Sequence, residues 1–257
     1  MVCLLGSGNV ATWMADRLRG RRDFPVTQVY SRQMAHARAL ADTLGADAVD
    51  NPKQIDSACQ IFIFALSDDA LPQVLSQIPF KMTLAVHTAG SVPQDVLAPY
   101  AEHYGVLYPL QTFSKDADMS QLIVPLCVED AFAGAQRDVL HGLAHTLSDT
   151  VRVMDSRQRF YAHVASVFAC NFSNALYTVA DEILQQHDMR MELLMPLLKQ
   201  TVAKLDEMPP REAQTGPAKR RDTSVMRRHV EALNQPQWEE IYRVMSDLII
   251  SQQRENI

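Results

Sequence analysis

Short apolar runs alternate with segments of helical period through residues 1–155, the pattern left by repeated βαβ units. It predicts strands over Val2–Leu5, Val26–Tyr30, Gln60–Leu66, Thr83–His87, Gly105–Tyr108, Ile123–Val128 and Val151–Met154. Helices are predicted between them over Asn9–Arg19, Gln33–Leu44, Asp69–Gln77 and Ala131–Leu147. The run "QIFIFAL" is apolar almost throughout, as a strand covered by helices on both faces should be. After "VMDSRQR" the pattern changes, and residues 156–257 carry helical periodicity with no strand-like run. The stretch "RQRFYAHVASVFACNFSNALYTVADEILQQHD" predicts one helix of roughly 30 residues, about 45 Å long. "MRMELLMPLLKQTVAKLDEM" follows, then the polar loop "PPREAQTGPAKRRD", then helices over Thr223–Leu233 and Gln237–Gln253. Pro236 stands where a first-turn proline begins the last of them. The expected fold class is α/β followed by all-α, with domains at 1–155 and 156–257.

Composition narrows the partners. The chain has 257 residues, 47% of them apolar, and a net charge of -6. That balance gives no general attraction to nucleic acid or to an anionic membrane surface. No apolar run is long enough to span a bilayer and no charged leader precedes one, so a cytoplasmic protein is expected. Cys3, Cys59, Cys127 and Cys170 lie far apart without metal-ligand spacing. Three of them sit in apolar runs and read as reduced core thiols, and no metal is expected.

Candidate chemistry begins in "GSGNVA", directly after the first strand. Gly6 and Gly8, with Ser7 between them, have the spacing of a dinucleotide fingerprint, and Ala11 fills its third, small-residue position. Gly6 permits a sharp turn, and the missing side chain at Gly8 lets a pyrophosphate approach the backbone. The N–H groups of Asn9 and Val10 then face the phosphate oxygens at a helix N-terminus. Because the turn joins a strand to a patterned helix, the first domain is expected to be a Rossmann-type, doubly wound, mostly parallel sheet. At the end of the second strand, where an NAD site usually carries a carboxylate, the chain has Tyr30, Ser31 and Arg32. A carboxylate roughly 4 Å from a 2′-phosphate would cost about 4 kcal/mol at an effective dielectric near 20. Arg32 can instead pair with that phosphate, so NADP(H) is the expected cofactor.

Two further strand ends should face the same crevice. In "FALSDDAL", Leu66 and Ser67 would line the ribose and nicotinamide path, and Ser67 or Asp68 can cap the next helix. In "AVHTAGSVP", Thr88, Ala89, Gly90 and Ser91 form a small-residue turn where the nicotinamide or a substrate carboxylate could meet backbone N–H groups. His87 reads as a hydrogen-bonded strand-end histidine.

The ordered segments "GSGNVA", "VYSR", "HTAGSVP", "YGVLYPLQTFSK", "HVASVFACNFSNALY" and "AQTGPAKRRD" carry a resemblance across nearly the whole chain. The set resembles the Rossmann-like proteins that carry the domain of unknown function 2520. That group is similar in layout to pyrroline-5-carboxylate reductase, the β-hydroxyacid dehydrogenases and coenzyme F420-dependent NADP reductases. The resemblance implies an NADP-binding domain and a helical domain that often dimerises, hence a homodimer. In the related dehydrogenases a lysine and an asparagine on the first long helix of the second domain face the nicotinamide. This chain has no lysine on that helix.

It offers His163, Asn171 and Asn174 there. Counted at 3.6 residues per turn, Asn171 and Asn174 lie about 80° and 20° from His163 around the axis. His163 is the expected proton donor, with an asparagine holding an oxyanion or a substrate carboxylate. The same stripe would also satisfy hydrogen bonds where a helix runs between two domains. Lys204, three residues after Thr201, and Lys115 are further acid or carboxylate-binding candidates. Gln111 and Thr112 of "YPLQTF" are expected on the nicotinamide side, with Tyr108 and Phe113 as packing. Gln214 and Thr215 would close over a bound substrate. Arg220 and Arg221 read as a hydrated basic loop, and Asp222 as the cap of the helix that follows. The leading reading is an NADP(H)-dependent oxidoreductase acting on a small carbonyl, hydroxy-acid or imine substrate at the domain junction. A non-catalytic NADP-binding redox sensor or scaffold stays open beside it, as does an imine reductase, which needs less acid catalysis.

Overall fold

A computed structural model describes residues 1–113, 119 and 122–254. The described chain forms two compact units, Met1–Asn171 and Phe172–Ile257. The first is built on one sheet of strands β1 (Val2–Leu5), β2 (Val26–Tyr30), β3 (Asp47–Val49), β4 (Ile61–Phe64), β5 (Met82–His87), β6 (Ala101–Pro109), β7 (Leu126–Asp130) and β8 (Val151–Val153). Their order across the sheet is β3-β2-β1-β4-β5-β6-β7-β8, parallel throughout except for the antiparallel β6–β7 pair. Strand order therefore reverses at β1 and β4, which is where open α/β sheets take their ligands.

Period-two burial produces a core on each face of the sheet. Val2 and Leu4 of β1, with Ile61 and Ile63 of β4, face helices α1 (Asn9–Leu18), α2 (Met34–Asp42) and α4 (Ala135–Leu147). Cys3, Leu5, Phe62 and Phe64 face the opposite side and pack on α3 (Ala70–Leu75). Each large apolar side chain buried this way contributes about 2 kcal/mol.

The structure departs from the sequence pattern at several places. Strand β3 has only three residues, none fully buried, so no apolar run announced it. Strand β7 lies at 126–130, later than the predicted run; Pro125 just ahead of it has no N–H to give to a ladder, and its carbonyl accepts the Leu110 N–H. Helix α4 starts at Ala135, since Gly134 with φ +83° turns the chain just ahead of it. The long helix is not uniform: α5 (Ser156–Ser166) and α6 (Ser173–Gln185) are joined by a π-helical segment, Val167–Phe172. A capping box opens α5, with Asp155 accepting the Gln158 N–H and Gln158 returning a bond to the Asp155 N–H. The unit boundary falls inside this helical stretch because α5 is bound to the sheet through Arg159 and His163.

The second unit holds α6, α7 (Met195–Ala203), α8 (Pro210–Ala213), α9 (Pro217–Arg220), α10 (Thr223–Ala232) and α11 (Pro236–Arg254). The polar loop of the sequence reading thus contains two short helices, each opened by a proline. Pro236 begins α11, and Asp222 caps α10 by accepting the Val225 N–H. Among the described residues no helix is long and apolar enough to cross a membrane.

Candidate active site

Gly6 and Gly8 do different work. Gly6 has φ +132°, and a Cβ there would lie 2.1 Å from the Ala65 carbonyl oxygen at the end of β4. Its N–H donates to the Tyr30 carbonyl at 2.8 Å. Only glycine fits, because the turn is wedged between the ends of β2 and β4. Gly8 has φ -80°, an ordinary value for any residue, and among the described residues nothing lies within 4 Å of where its Cβ would stand. It is the N-cap of α1, and it supplies no side-chain cap. Among the described residues no side chain caps the first N–H groups of α1, and no acidic residue stands in that first turn. This is the cradle an anion needs.

Around the cradle, the Ser7 and Ser31 hydroxyls bond each other at 2.9 Å across the ends of β1 and β2. The Asn9 amide donates to the Phe113 carbonyl at 2.8 Å, so its side chain braces the 110–113 loop while its N–H stays in the helix opening. Arg32 is exposed and lines an open cavity with Tyr30, Asp50, Asn51 and Gln73. Asp50 is a carboxylate that sequence reasoning missed. It follows the three-residue strand β3, and no pattern marked that strand's end as a neighbour of Arg32.

At the end of β4, Leu66 is half-buried and Ser67 exposed. Helix α3 has no side-chain cap, contrary to expectation: the Ser67 carbonyl takes the Ala70 and Leu71 N–H groups instead. Asp68 is occupied by the Ser91 hydroxyl, which donates to it at 2.5 Å. That bond ties the loop after β4 to the turn after β5.

The turn 88–92 is held from beneath and from the side. The Thr88 N–H bonds the Phe64 carbonyl, and Thr88, Ala89 and Gly90 are buried. His87, fully buried, accepts the Ala89 N–H at Nδ1 and donates from Nε2 to the Pro93 carbonyl. Burial, reinforced by the nearby Arg159 charge, pulls its imidazole down to about 4. His87 is the hydrogen-bonded strand-end histidine of the sequence reading, and it braces this turn in its neutral form.

Arg159 of α5 is 1% exposed, and its guanidinium donates to the carbonyls of Ala89, Gly90 and Val92 at 2.7–2.8 Å. It also grips the Glu129 carboxylate of β7 at 2.9 and 3.0 Å, while the Ser156 hydroxyl bonds the other Glu129 oxygen. A buried guanidinium is tolerable only with its hydrogen bonds filled, and these are. Sequence reasoning passed over both residues. Their one signal is a glutamate ending the apolar run "VPLCVE".

One turn further along α5, His163 comes down on Gly90. A Cβ at Gly90 would lie 2.8 Å from His163 Cγ and Nδ1, and 3.0 Å from Tyr108 Cζ. The Tyr108 hydroxyl meets His163 Nδ1 at 3.0 Å, with the rings edge to face. Tyr108 is therefore more than packing, and burial raises its phenol above the usual range.

Other candidates stand elsewhere. Gln111 spends its amide within its own loop, donating to the Ile123 carbonyl and accepting the Thr112 N–H. Thr112 is exposed, and Lys115 lies outside the described residues. Asn171 is exposed, which removes the expectation that its amide needs a buried partner. The 3.6-residue count does not carry through the π segment, so a face shared by His163 and Asn174 has no basis in that count. In the second unit, Asn174 is exposed in the first turn of α6, and Lys204 opens a 3-10 turn after α7. The Gln214 amide donates to the Thr215 carbonyl, and Thr215 borders an apolar cavity with Leu176, Ala218, Trp238 and Met245. Cys170 is exposed, whereas Cys3, Cys59 and Cys127 are buried free thiols.

The family described as "Domain of unknown function (DUF2520)" matches residues 124–249. A Bacteroides fragilis protein of known structure, BF3122, provisionally assigned as an NADP oxidoreductase, is 36% identical, with a TM-score of 0.88 over 97% of each chain. Protein TM1727 from Thermotoga maritima is 19% identical and superposes with a TM-score of 0.74 over 100% of this chain and 99% of its own. A reductive aminase from Aspergillus terreus, in complex with NADPH and ethyl levulinate, is 15% identical with a TM-score of 0.71, over 99% of this chain and 93% of its own. At these lower identities the likeness is one of fold. No curated protein matches the chain.

Proposed function

We propose, from the premise that the chain belongs to the DUF2520 family, that it is an NADP(H)-dependent oxidoreductase acting on a small carbonyl, hydroxy-acid or imine substrate. The observation that carries the reading is the pair of glycines. Gly6 is demanded by the fold, whereas among the described residues nothing requires a glycine at position 8, which leaves the helix N-terminus without a side-chain cap. Gly6, Ser7, Gly8 and the N–H groups of Asn9 and Val10 would hold the pyrophosphate, with Ser31 and Arg32 on the 2′-phosphate side. Leu66, Ser67, Thr88, Ala89 and Gly90 would line the path toward the nicotinamide. When bound, the cofactor supplies or accepts hydride.

The protein's part is orientation and a proton. His163, seated on Gly90, is the donor this reading assigns, with Asn171 and Lys204 as its further catalytic candidates. Ser91, Gln111, Thr112, Asn174, Gln214 and Thr215 remain candidates for substrate contacts. The second unit supports a homodimer, because it exposes Leu193 and Leu197 to about 64% and 63% and Val202 to 60%.

A calorimetric comparison of NADPH and NADH, with a screen of NADPH oxidation against keto acids and cyclic imines, tests the proposal. Arg32→Ala should lose about 10- to 100-fold of the preference for NADPH, the worth of a charge-assisted bond to phosphate. An unchanged preference contradicts the assignment of Arg32. Tight NADPH binding with no turnover on any substrate favours the non-catalytic sensor.

A further inference from the structure

We propose that Arg159 is a positioning residue: it aims the Gly90 and Ser91 N–H groups as a pair of donors for one neutral carbonyl oxygen, that of a bound nicotinamide's carboxamide or of a ketone substrate. Counting donors shows why the guanidinium is not itself the ligand's partner. A guanidinium has five N–H groups. Nε and one Nη2 hydrogen go to the Glu129 carboxylate, Nη1 serves the Ala89 and Gly90 carbonyls, and the second Nη2 hydrogen serves the Val92 carbonyl. Buried and fully committed, Arg159 has no donor left for a substrate.

What it does is turn the peptides. The peptide bonds here are trans, so each carbonyl and the N–H of the next residue point in opposite directions. With the Ala89 and Gly90 carbonyls both on Nη1, the Gly90 and Ser91 N–H groups face away from the guanidinium. The N–H groups of Thr88 and Ala89 are taken by the Phe64 carbonyl and by His87 Nδ1. Those of Gly90 and Ser91 have no acceptor among the described residues, although Gly90 is buried. Buried backbone N–H groups are nearly always paired. Two successive ones, fixed from behind by a cation on their carbonyls, form a preorganised site for an acceptor oxygen.

Neighbouring groups narrow the ligand. The Asp68 carboxylate is held by the Ser91 hydroxyl at 2.5 Å, so a second carboxylate beside Ser91 would be repelled, whereas a neutral carbonyl oxygen would not. His163 lies directly against Gly90, which puts the assigned proton donor at the same turn. The identity of the ligand rests on the oxidoreductase reading; the aim of the two N–H groups does not.

Amide NMR of the deuterated full-length protein, with Gly90 and Ser91 assigned, reads the pair directly. If the carboxamide supplies the oxygen, saturating NADP+ should move both amide protons downfield, and 2′-phospho-ADP-ribose, which lacks the nicotinamide, should move neither. If the substrate supplies it, the shift waits until cyclohexanone is added. In Arg159→Met the carbonyls are released and the shift should be lost while NADP+ still binds. Ser91→Pro deletes one donor and should weaken binding of whichever ligand caused the shift by about 3- to 10-fold, whereas Ser91→Ala keeps that N–H and should not. This pair decides the matter alone if Arg159→Met does not fold. Amide protons unmoved with NADP+ and cyclohexanone both present, a shift of the same size in Arg159→Met, or equal losses in the two Ser91 variants overturns the proposal. Where calorimetry shows no NADP+ binding, acetamide is the probe. A shift with it keeps the donor pair and sinks the oxidoreductase reading, and no shift sinks both.

Discussion

Gly8 and His87 show how differently single residues announce themselves. The glycine spacing, Ser31–Arg32 and His163 stood out in the sequence because each departs from the local apolar pattern. Arg159, Tyr108 and Asp50 did not, since their importance lies in partners far along the chain: Arg159 reaches Ala89, and Tyr108 reaches His163. His87 also yields a pH prediction. The unfolded chain protonates this imidazole near 6.5, the folded one only near 4. Unfolding therefore takes up a proton between those values. The stabilisation is complete above about pH 6.5 and is lost as the pH falls toward 4, by about 3 kcal/mol at about 1.4 kcal/mol per unit. Urea unfolding should show this slope in the unmodified protein and a flatter one in His87→Gln; equal slopes would contradict it.

Elements whose burial is two-sided were legible, and those defined by tertiary contact were not. Strands β1 and β2 and helix α1 begin where their apolar patterns begin. Strand β3 is short and half-exposed, and the π segment between α5 and α6 leaves no mark in a 3.6-residue count. The docking of α5 likewise depends on one guanidinium rather than on an apolar stripe: its buried residue is Arg159. Arg159→Met should cost about 3–5 kcal/mol, because Glu129 and three carbonyls lose their partner in a buried site. Urea unfolding would measure it, and amide exchange in α5 should rise with it. A loss under about 1 kcal/mol would mean that α5 is held by something else.

At the scale of the molecule, the change from alternating strands to continuous helices was plain in the sequence, and the place where one compact unit ends was not. The helical unit exposes apolar residues along α7 and α11, Leu197, Val202, Val244 and Leu248 among them. Exposed large apolar side chains along two helices predict a second copy. Sedimentation equilibrium at micromolar concentration should give about twice the 28.8 kDa chain mass. Leu197→Lys combined with Val202→Lys should return it to the monomer, and an unmodified protein already monomeric would contradict the dimer.

The central claim is that Gly8 is a glycine for a ligand's sake. Aspartate fits its backbone and is a better N-cap, by a few tenths of a kcal/mol to about 1 kcal/mol, so Gly8→Asp should fold at least as stably. It would also set a carboxylate where the pyrophosphate has to rest. Titration calorimetry of NADPH into cofactor-free protein should show binding in the unmodified chain and none in Gly8→Asp, with the melting temperature kept. No heat in the unmodified chain, or equal affinity in both, would contradict the account.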